Sequence, residues 1–419
     1  MRMIWTRRDW LTSMGAAAAA GSSGLMAACA HKVAEESIAP NLLQTTPENQ
    51  AATYRHVKRI GPTRVIQRGT SVLPLPAHGT SLVAMRYDFG GASYGIDDYM
   101  SRNRTAGLLI IKGGAIALER YAMGNDAASR WTSFSVAKSV TSTLVGAALK
   151  DGSIRSLDDS VARYVPQLAG SAYGQNSIRE LMRMCSGVRW SEDYATSGDS
   201  DIILMGRAMR SGQPGAVMEL MRTRPRAAAP GSVFNYSTGD SYVLGAVVAA
   251  ATGKRMADYL SQKVWAPLGM EADGYWLLDA PDGLEMGGNN ISATLRDHGR
   301  FGLFFLRQGV VNGSRVLPDG WREQAGQPGA AVTVTAHGQL YPGYPLGYGY
   351  QWWSFPTGAN AIPFHDGAFT ALGIFGQFLY INPAQDMVAV VWSAWRSSWL
   401  QTAEFETYTL LGTAVAMLR

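Results

Sequence analysis

Ser133-Phe134-Ser135-Val136-Ala137-Lys138-Ser139 opens an apolar run, Val140 to Leu149, that stops at Lys150-Asp151-Gly152. A glycine just past the last apolar residue is a helix C-terminal signal. Ser135 and Lys138 are three residues apart, so on a helical turn their side chains share one face. A serine hydroxyl is a weak nucleophile at neutral pH and needs a base within hydrogen-bond reach. A lysine amine serves as that base only when neutral, and burial on the first turn of a core helix lowers a lysine pKa. The spacing therefore supplies a nucleophile and a base on one rigid element. No other lysine in the chain has a serine three positions before it. The competing reading is a helix-capping serine beside a surface lysine, and the rest of the chain has to decide.

Composition narrows the field. Of 419 residues, 47% are apolar and 16% charged, which suits a globular enzyme with a sizeable core. The net charge of +5 comes partly from Arg2, Arg7 and Arg8 near the start. The remaining Lys and Arg are scattered, with no basic stripe for a nucleic acid. Two cysteines, Cys29 and Cys185, allow at most one disulfide, and no C-x-x-C or H-E-x-x-H string marks a metal site. No metal or cofactor is expected.

In chain order, residues 1–30 read as an export signal. Thr6-Arg7-Arg8-Asp9-Trp10-Leu11 is similar to a twin-arginine pattern, and a small-residue apolar run follows, Met14 to Ala28. Leu25-Met26-Ala27-Ala28-Cys29 resembles a bacterial lipoprotein box, although Met26 stands where an aliphatic residue is usual; plain cleavage near Ala28 or Ala30 is the alternative. The expectation is a protein of the bacterial periplasm or envelope, with a membrane tether if Cys29 is lipidated. Cys185 then has no partner and reads as a small buried apolar residue. Residues 31–80, with Pro40, Pro47, Pro62, Pro74 and Pro76, read as a tether and then a loosely structured N-terminal extension packed on a main domain over 81–419.

Ser81 to Phe89 reads as a strand. Gly107–Ile111 and Ala115–Tyr121 are two β-rich runs joined by a hairpin signal, Lys112-Gly113-Gly114. Capping patterns at Ser177-Ile178-Arg179-Glu180 and Thr294-Leu295-Arg296-Asp297 start helices, and Asp240–Ala251 and Met256–Trp265 read as two more. Strands return at Gly349–Phe355, Phe369–Leu372, Phe378–Ile381 and Met387–Trp395, before a closing helix over Leu400–Leu418. The resulting class is α+β: one antiparallel sheet built from both ends of the chain, flanked by helices, with a mainly helical lobe inserted over about 155–290. A ligand cleft is expected between sheet and lobe, with Trp190, Trp276, Trp352 and Trp353 as candidate lining residues. Gly91-Ala92-Ser93-Tyr94-Gly95 matches a nucleophile elbow in letters, but the polar stretch after it cannot supply a helix buried under a parallel sheet. Ser93 is read as a turn residue.

From about Ala106 onward the chain resembles the serine β-lactamase and penicillin-binding-protein superfamily. More narrowly it is similar to the class C-related branch of esterases, D-amino-acid peptidases and 6-aminohexanoate-dimer hydrolases. The resemblance rests on the linked order of the Lys112-Gly113-Gly114 hairpin, Ser135 to Ser139, Ile178 to Gly187, Pro230 to Ser237, Thr294 to Gly302 and Phe375 to Pro383. It implies an acyl-enzyme hydrolase of a small-molecule ester or amide, with Ser135 as nucleophile, Lys138 as base and Tyr236 as proton relay. The family's tyrosine-x-asparagine becomes Tyr236-Ser237-Thr238 here. The literal match Tyr380-Ile381-Asn382 is rejected as an alternating strand far too late in the chain. A phenol beside a cationic lysine is expected to favour its phenolate.

The family's lysine-threonine-glycine strand motif has no literal counterpart. His365-Asp366-Gly367 is the candidate replacement, and an alignment on Phe375-Gly376 would instead place Ala368-Phe369-Thr370 there. The resemblance implies oxyanion donors at Ser135 and at Ala368 or Ala371, and substrate contacts from Thr238, His365, Asp366, Gly367, Ala368 and Gln377. The glutamate string used for deacylation in class A relatives is absent, which leaves Tyr236 and Lys138 to activate water. Two alternatives stand beside the esterase or amidase reading: a β-lactamase or D-alanyl peptidase, and a non-catalytic envelope binding domain. No protein partner is evident.

Overall fold

The two runs flanking Lys112-Gly113-Gly114 pair as Thr105–Lys112 (β1) and Ala115–Tyr121 (β2) in the computed structural model, which describes residues 36–194, 198–328 and 333–419. The arginine pair, the lipoprotein-like box and Cys29 lie outside those residues. Among the described residues no helix is long and apolar enough to cross a membrane.

Five further strands complete the main sheet: Gly347–Tyr348 (β3), Trp353–Ser354 (β4), Phe369–Gly373 (β5), Gln377–Asn382 (β6) and Met387–Ser393 (β7). Their order is β3-β4-β5-β6-β7-β1-β2, antiparallel throughout. The late strand β7 pairs with the early strand β1, Val390 opposite Leu109, so both ends of the chain build one sheet as expected. Residues alternate across a strand. Leu109 and Ile111 therefore join a core on one face, while Leu108 and Ile110 join a second core on the other.

Six helices organise what surrounds the sheet: Gln50–Arg55 (α1), Ala137–Lys150 (α2), Asp201–Arg210 (α3), Thr238–Thr252 (α4), Leu295–Leu306 (α5) and Gln401–Met417 (α6). Helix α5 lies close on one face because Gly299 and Gly302 share its inner side. A Cβ on Gly302 would stand 2.5 Å from Val388, and one on Gly299 would stand 2.8 Å from Ile111. Helix α6 covers the opposite face with Leu410, Leu411 and Ala414. Helix α2 packs against α4 of the lobe. The caps fall where the sequence put them: Ser177 and Glu180 cap reciprocally, and Thr294 accepts the Asp297 N–H.

Some expectations change. Gly349–Phe355 is not one strand, because the chain turns between β3 and β4. Met256–Trp265 is α-helical only to Leu260 and widens into a π-turn over Ser261–Trp265. The predicted Ser81–Phe89 strand shortens to Arg86–Phe89, which forms a hairpin with Ala92–Gly95. A short helix, Ile96–Arg102, does follow Gly95, but Ser93 itself sits exposed in that two-stranded hairpin.

The N-terminal extension holds more regular structure than the sequence suggested. From Ser37 the chain belongs to one compact unit with the rest. Ala39, Leu42, Tyr54 and Val57 are buried. Thr63–Ile66 pairs with Gly274–Leu277 in a second, four-stranded sheet that also holds Ile291–Ala293 and Trp131–Thr132. Prolines suggested loose structure because they interrupt periodicity. Here they separate short pieces, each docked by its apolar residues.

Candidate active site

The small sheet delivers Trp131-Thr132 straight into the turn that carries Ser135. That turn is tied down by main-chain bonds: Ser133 N–H to Ile291 O at 2.8 Å and Asn290 N–H to Phe134 O at 3.2 Å. The Ser133 hydroxyl accepts the Ile291 N–H at 3.1 Å. Phe134 is held at φ 44° in the left-handed region, which is strained for a residue with a bulky side chain. Phe375, across the cleft after β5, is held at φ 62°. The two rings pack with centroids 5.4 Å apart, and Tyr54 of α1 packs against both, 4.9 Å from Phe134 and 5.8 Å from Phe375. Aromatic packing from the extension thus braces both strained residues that flank the site.

Ser135 sits in the single 3-10 turn before α2, and Lys138 in the first turn of that helix. Lys138 Nζ lies 2.9 Å from Ser135 Oγ, 2.9 Å from Thr238 Oγ1 and 2.8 Å from the Gly288 carbonyl oxygen. Lys138 is only 1% exposed, which rejects the surface-lysine reading. Burial lowers its pKa from 10.5 to about 8, against the opposing pull of the Glu192 and Asp240 charges.

Tyr236 lines the same cavity as Ser135, and the two side chains interact. Its ring is half-buried, stacked on Trp353 at 5.7 Å between centroids. Lys138 Nζ stands 4.9 Å from the ring centroid. The phenol is held well above its usual pKa, first by burial and then by the Glu192 carboxylate. The expectation that lysine favours a phenolate is therefore corrected. The resting group is a protonated phenol, because a negative charge and a desolvated site outweigh the amine.

Glu192 escaped the sequence reading. It lies on the loop after Trp190 and receives four donors: Thr238 N–H at 3.0 Å, the Thr238 hydroxyl, the Tyr194 hydroxyl at 2.6 Å and the Trp190 indole N–H. A carboxylate accepts only, with about four lone-pair sites, so this set saturates it. The only advance signal was the Trp190-Ser191-Glu192 stretch after the short helix that Ser177 caps, Ile178–Met182, and nothing in its spacing points to α4. Asp240, two residues past Thr238, is also buried. It accepts from Tyr173 at 3.1 Å and Ser186 at 3.0 Å, its second oxygen has no partner among the described residues, and burial raises its pKa to about 7.

Ser135 stands where two cavities meet, one of about 480 Å³ toward the lobe and one of about 490 Å³ toward the sheet end. Tyr194 and Ile374 line both, Thr238 the first, and Tyr236 and Glu192 the second. The strand edging the site is the Gly373 end of β5. A Cβ on Gly373 would stand 2.6 Å from the Ser133 carbonyl, so only glycine lets the strand approach this closely.

The 365–368 segment is at the far end of that strand, and its predicted role is corrected. His365 is buried, with one ring nitrogen 2.7 Å from the Tyr380 hydroxyl and the other 3.1 Å from the Tyr408 carbonyl. Asp366 accepts the Gly358 N–H, Gly367 lines neither cavity, and the Ala368 N–H is spent on the His365 carbonyl at 3.0 Å. Ala371 is paired inside the β5–β6 ladder. Gln377 does not face the cleft either. Its amide donates to the Phe375 carbonyl at 3.1 Å and the Ser393 carbonyl at 2.8 Å, and its oxygen accepts from Trp131 at 2.9 Å. It braces the turn that carries Ile374. Trp353 lines the cleft, whereas Trp276 and Trp352 are core residues and Trp190 acts through Glu192. Cys185 is buried without a disulfide, and burial pushes its thiol up to about 12.

An antiparallel sheet closed by both chain ends, a helical lobe and a serine–lysine pair at their junction define the β-lactamase and penicillin-binding-protein class of fold. The chain belongs to the beta-lactamase family, whose model matches residues 96–406. It is 29% identical over 358 residues to a 6-aminohexanoate-dimer hydrolase of Paenarthrobacter ureafaciens, covering 84% of this chain and 87% of that protein. Among solved structures, a candidate 6-aminohexanoate-dimer hydrolase from Bacillus anthracis superposes with a TM-score of 0.78 at 22% identity, over 90% of this chain and 96% of that one. EstCE1, a hydrolase with promiscuous acyltransferase activity, gives 0.56 at 17% identity over 71% and 91%. The chain is thus a hydrolase of the β-lactamase fold.

Proposed function

We propose that this hydrolase cleaves esters or linear amides through an acyl-enzyme on Ser135, with Lys138 as base and Tyr236 as proton donor to the leaving group. The carrying observation is the 2.9 Å contact between the Ser135 hydroxyl and a desolvated lysine. A neutral amine has two N–H donors and one lone pair. The Gly288 carbonyl can only accept. The Thr238 hydroxyl has given its proton to Glu192, so toward Lys138 it accepts as well. Both N–H groups are thereby used, and the lone pair is left facing Ser135. Glu192 is in this sense a positioning residue. It fixes the hydroxyl that fixes the amine.

Ser135 Oγ then attacks the carbonyl as its proton passes to Lys138. The Tyr236 phenol, in the same cavity as Ser135, protonates the departing oxygen or nitrogen, and Lys138 returns a proton to it. Water attacks the acyl group with the same groups as base. The backbone N–H of Ser135 and that of Ile374, at the close end of β5, are the oxyanion donors in this reading. Loss of one such donor costs about 3–4 kcal/mol.

Ester or linear amide is favoured over β-lactam because no lysine lines either cavity at Ser135 among the described residues, where the family's third motif would supply one. The names of the Paenarthrobacter protein and EstCE1 agree with amide and ester chemistry. Intact-mass measurement after exposure to 4-nitrophenyl esters tests the proposal. Wild type should gain one acyl mass and Ser135→Ala none. Equal labelling of both proteins removes Ser135 from the reaction, and the absence of any adduct on a folded wild-type chain favours a binding domain.

A further inference from the structure

The two cavities at Ser135 differ in wall chemistry and in the sign of their single charge. The lobe-side cavity is built from Leu42, Ile60, Ile202, Met205 and Met209 among others, and Arg210 is its only charged lining residue among those described. Arg210 ends α3, is exposed, and has no acidic or hydrogen-bonding partner among the described residues. Its guanidinium lies 3.2 Å from where a Cβ on Gly206 would stand, and Gly206 lines the same cavity. The sheet-side cavity is aromatic, with Tyr341, Tyr344, Trp353 and Trp399, and its only charged lining residue among those described is Glu192. Residues 195–197, next to Tyr194, are Ala, Thr and Ser and bring no charge.

The acid that serves the leaving group tells the cavities apart. Tyr236 lines the sheet-side cavity and not the other. On the proposed mechanism, on which this inference rests, the leaving group occupies the sheet side and the acyl chain extends toward the lobe. We infer that the chain selects an apolar acyl group that bears no ammonium, accepts a carboxylate at the tip of that group, and releases an uncharged alcohol or amine. A zwitterionic substrate with an ammonium on its acyl end and a carboxylate on its leaving end is mismatched twice. Its ammonium would meet Arg210 in an apolar channel, and its carboxylate would meet Glu192. Burying an ion in an apolar wall without a partner is unfavourable, and a like charge adds to the penalty. The N-terminal extension takes part in this choice, since Leu42 and Ile60 come from it.

The test is kcat/KM for 4-nitrophenyl esters of butanoic, hexanoic, heptanoic, 6-aminohexanoic and adipic acids on the full chain. Each methylene buried in the lobe-side cavity should raise kcat/KM about fourfold from butanoyl to hexanoyl. The 6-aminohexanoyl ester should fall at least tenfold below its near-isostere, the heptanoyl ester. The adipoyl half-ester should lie within threefold of the heptanoyl ester, and R210Q should lower its ratio to the heptanoyl ester about tenfold. A 6-aminohexanoyl ester cleaved as well as the heptanoyl ester overturns the inference, and so does a flat chain-length series. Those results leave Ser135 catalysis standing, because turnover would still be read. Absence of Ser135-dependent turnover with every ester overturns both readings.

Discussion

Replacing Glu192 by Gln should do two separable things to the pH profile of acylation. In wild type, kcat/KM reports the free enzyme. With a Lys138 pKa of about 8, about 1% of molecules hold the neutral amine at pH 6 and half at pH 8. Activity should therefore rise about fiftyfold over those two units and about twofold more before it levels. Tyr236 does not end the plateau, because its pKa lies well above its ordinary value. The Glu192 charge is one of the two that hold the Lys138 pKa up. Removing it should move the rising limb to lower pH. The plateau should nevertheless fall. Indole and main-chain N–H donors cannot rotate, so the one oxygen of the introduced amide stays with Trp190 and the Thr238 N–H. The NH2 of that amide then faces the two hydroxyls of Thr238 and Tyr194. The Thr238 hydroxyl is freed to donate into the Lys138 lone pair, and the base is misdirected. General-base help is worth about 100- to 10,000-fold, and partial misdirection should take about ten- to a hundredfold from the plateau. In a Thr238→Val background the hydroxyl is gone, and Glu192→Gln should change the plateau by less than about twofold, the signature of coupling through that group. Stopped-flow release of 4-nitrophenolate between pH 5 and 9.5 reads every quantity. A wild-type-like plateau in the single variant, or a limb that stays put or moves upward, would refute the reasoning.

The remaining predictions concern single groups. Tyr236→Phe should slow acylation by alkyl esters, whose leaving group needs a proton, far more than by 4-nitrophenyl esters, whose leaving group does not; equal slowing would exclude the phenol as acid. Asp240 has a folded pKa of about 7 against an ordinary 3.8, so the folded state binds more protons between those values and stability is lost as pH rises through them. Asp240→Asn should flatten that slope and at pH 8 gain about 4 kcal/mol by urea titration; an unchanged slope would place the titration elsewhere. Tyr54→Ala removes a fully buried ring and should cost about 3–5 kcal/mol, with a fall in kcat even where the variant is fully folded; a folded variant with unaltered kcat would show that Phe134 and Phe375 hold without it.

The architecture was legible because periodicity and capping chemistry are local. The Lys112-Gly113-Gly114 hairpin, the Ser177 and Thr294 caps and the closing helix all fall within a few residues of their predicted places. Ser135 and Lys138 were legible for the same reason, since one helical turn brings them together. What escaped depends on contacts across long stretches of chain. Glu192 meets Thr238 across 46 residues, and no spacing rule connects a loop to a helix start. The 365–368 segment failed because motif letters do not say which end of a strand faces the cleft. Gly373 does, through its close approach to Ser133, but only once the strand is placed. The short helix and strand of the extension escaped because its prolines interrupt periodicity.

The rings of Tyr54, Phe134 and Phe375 bind together an early, a middle and a late part of the polypeptide. A nascent chain emerging in order therefore lacks the third ring until its final stretch has been made. The nucleophile turn cannot be locked into its working shape before then, whatever helices have already formed. Hydrolytic competence should accordingly appear at the end of synthesis rather than gradually, so an unfinished or truncated product carries Ser135 and Lys138 on their helical turn without the rings that brace it.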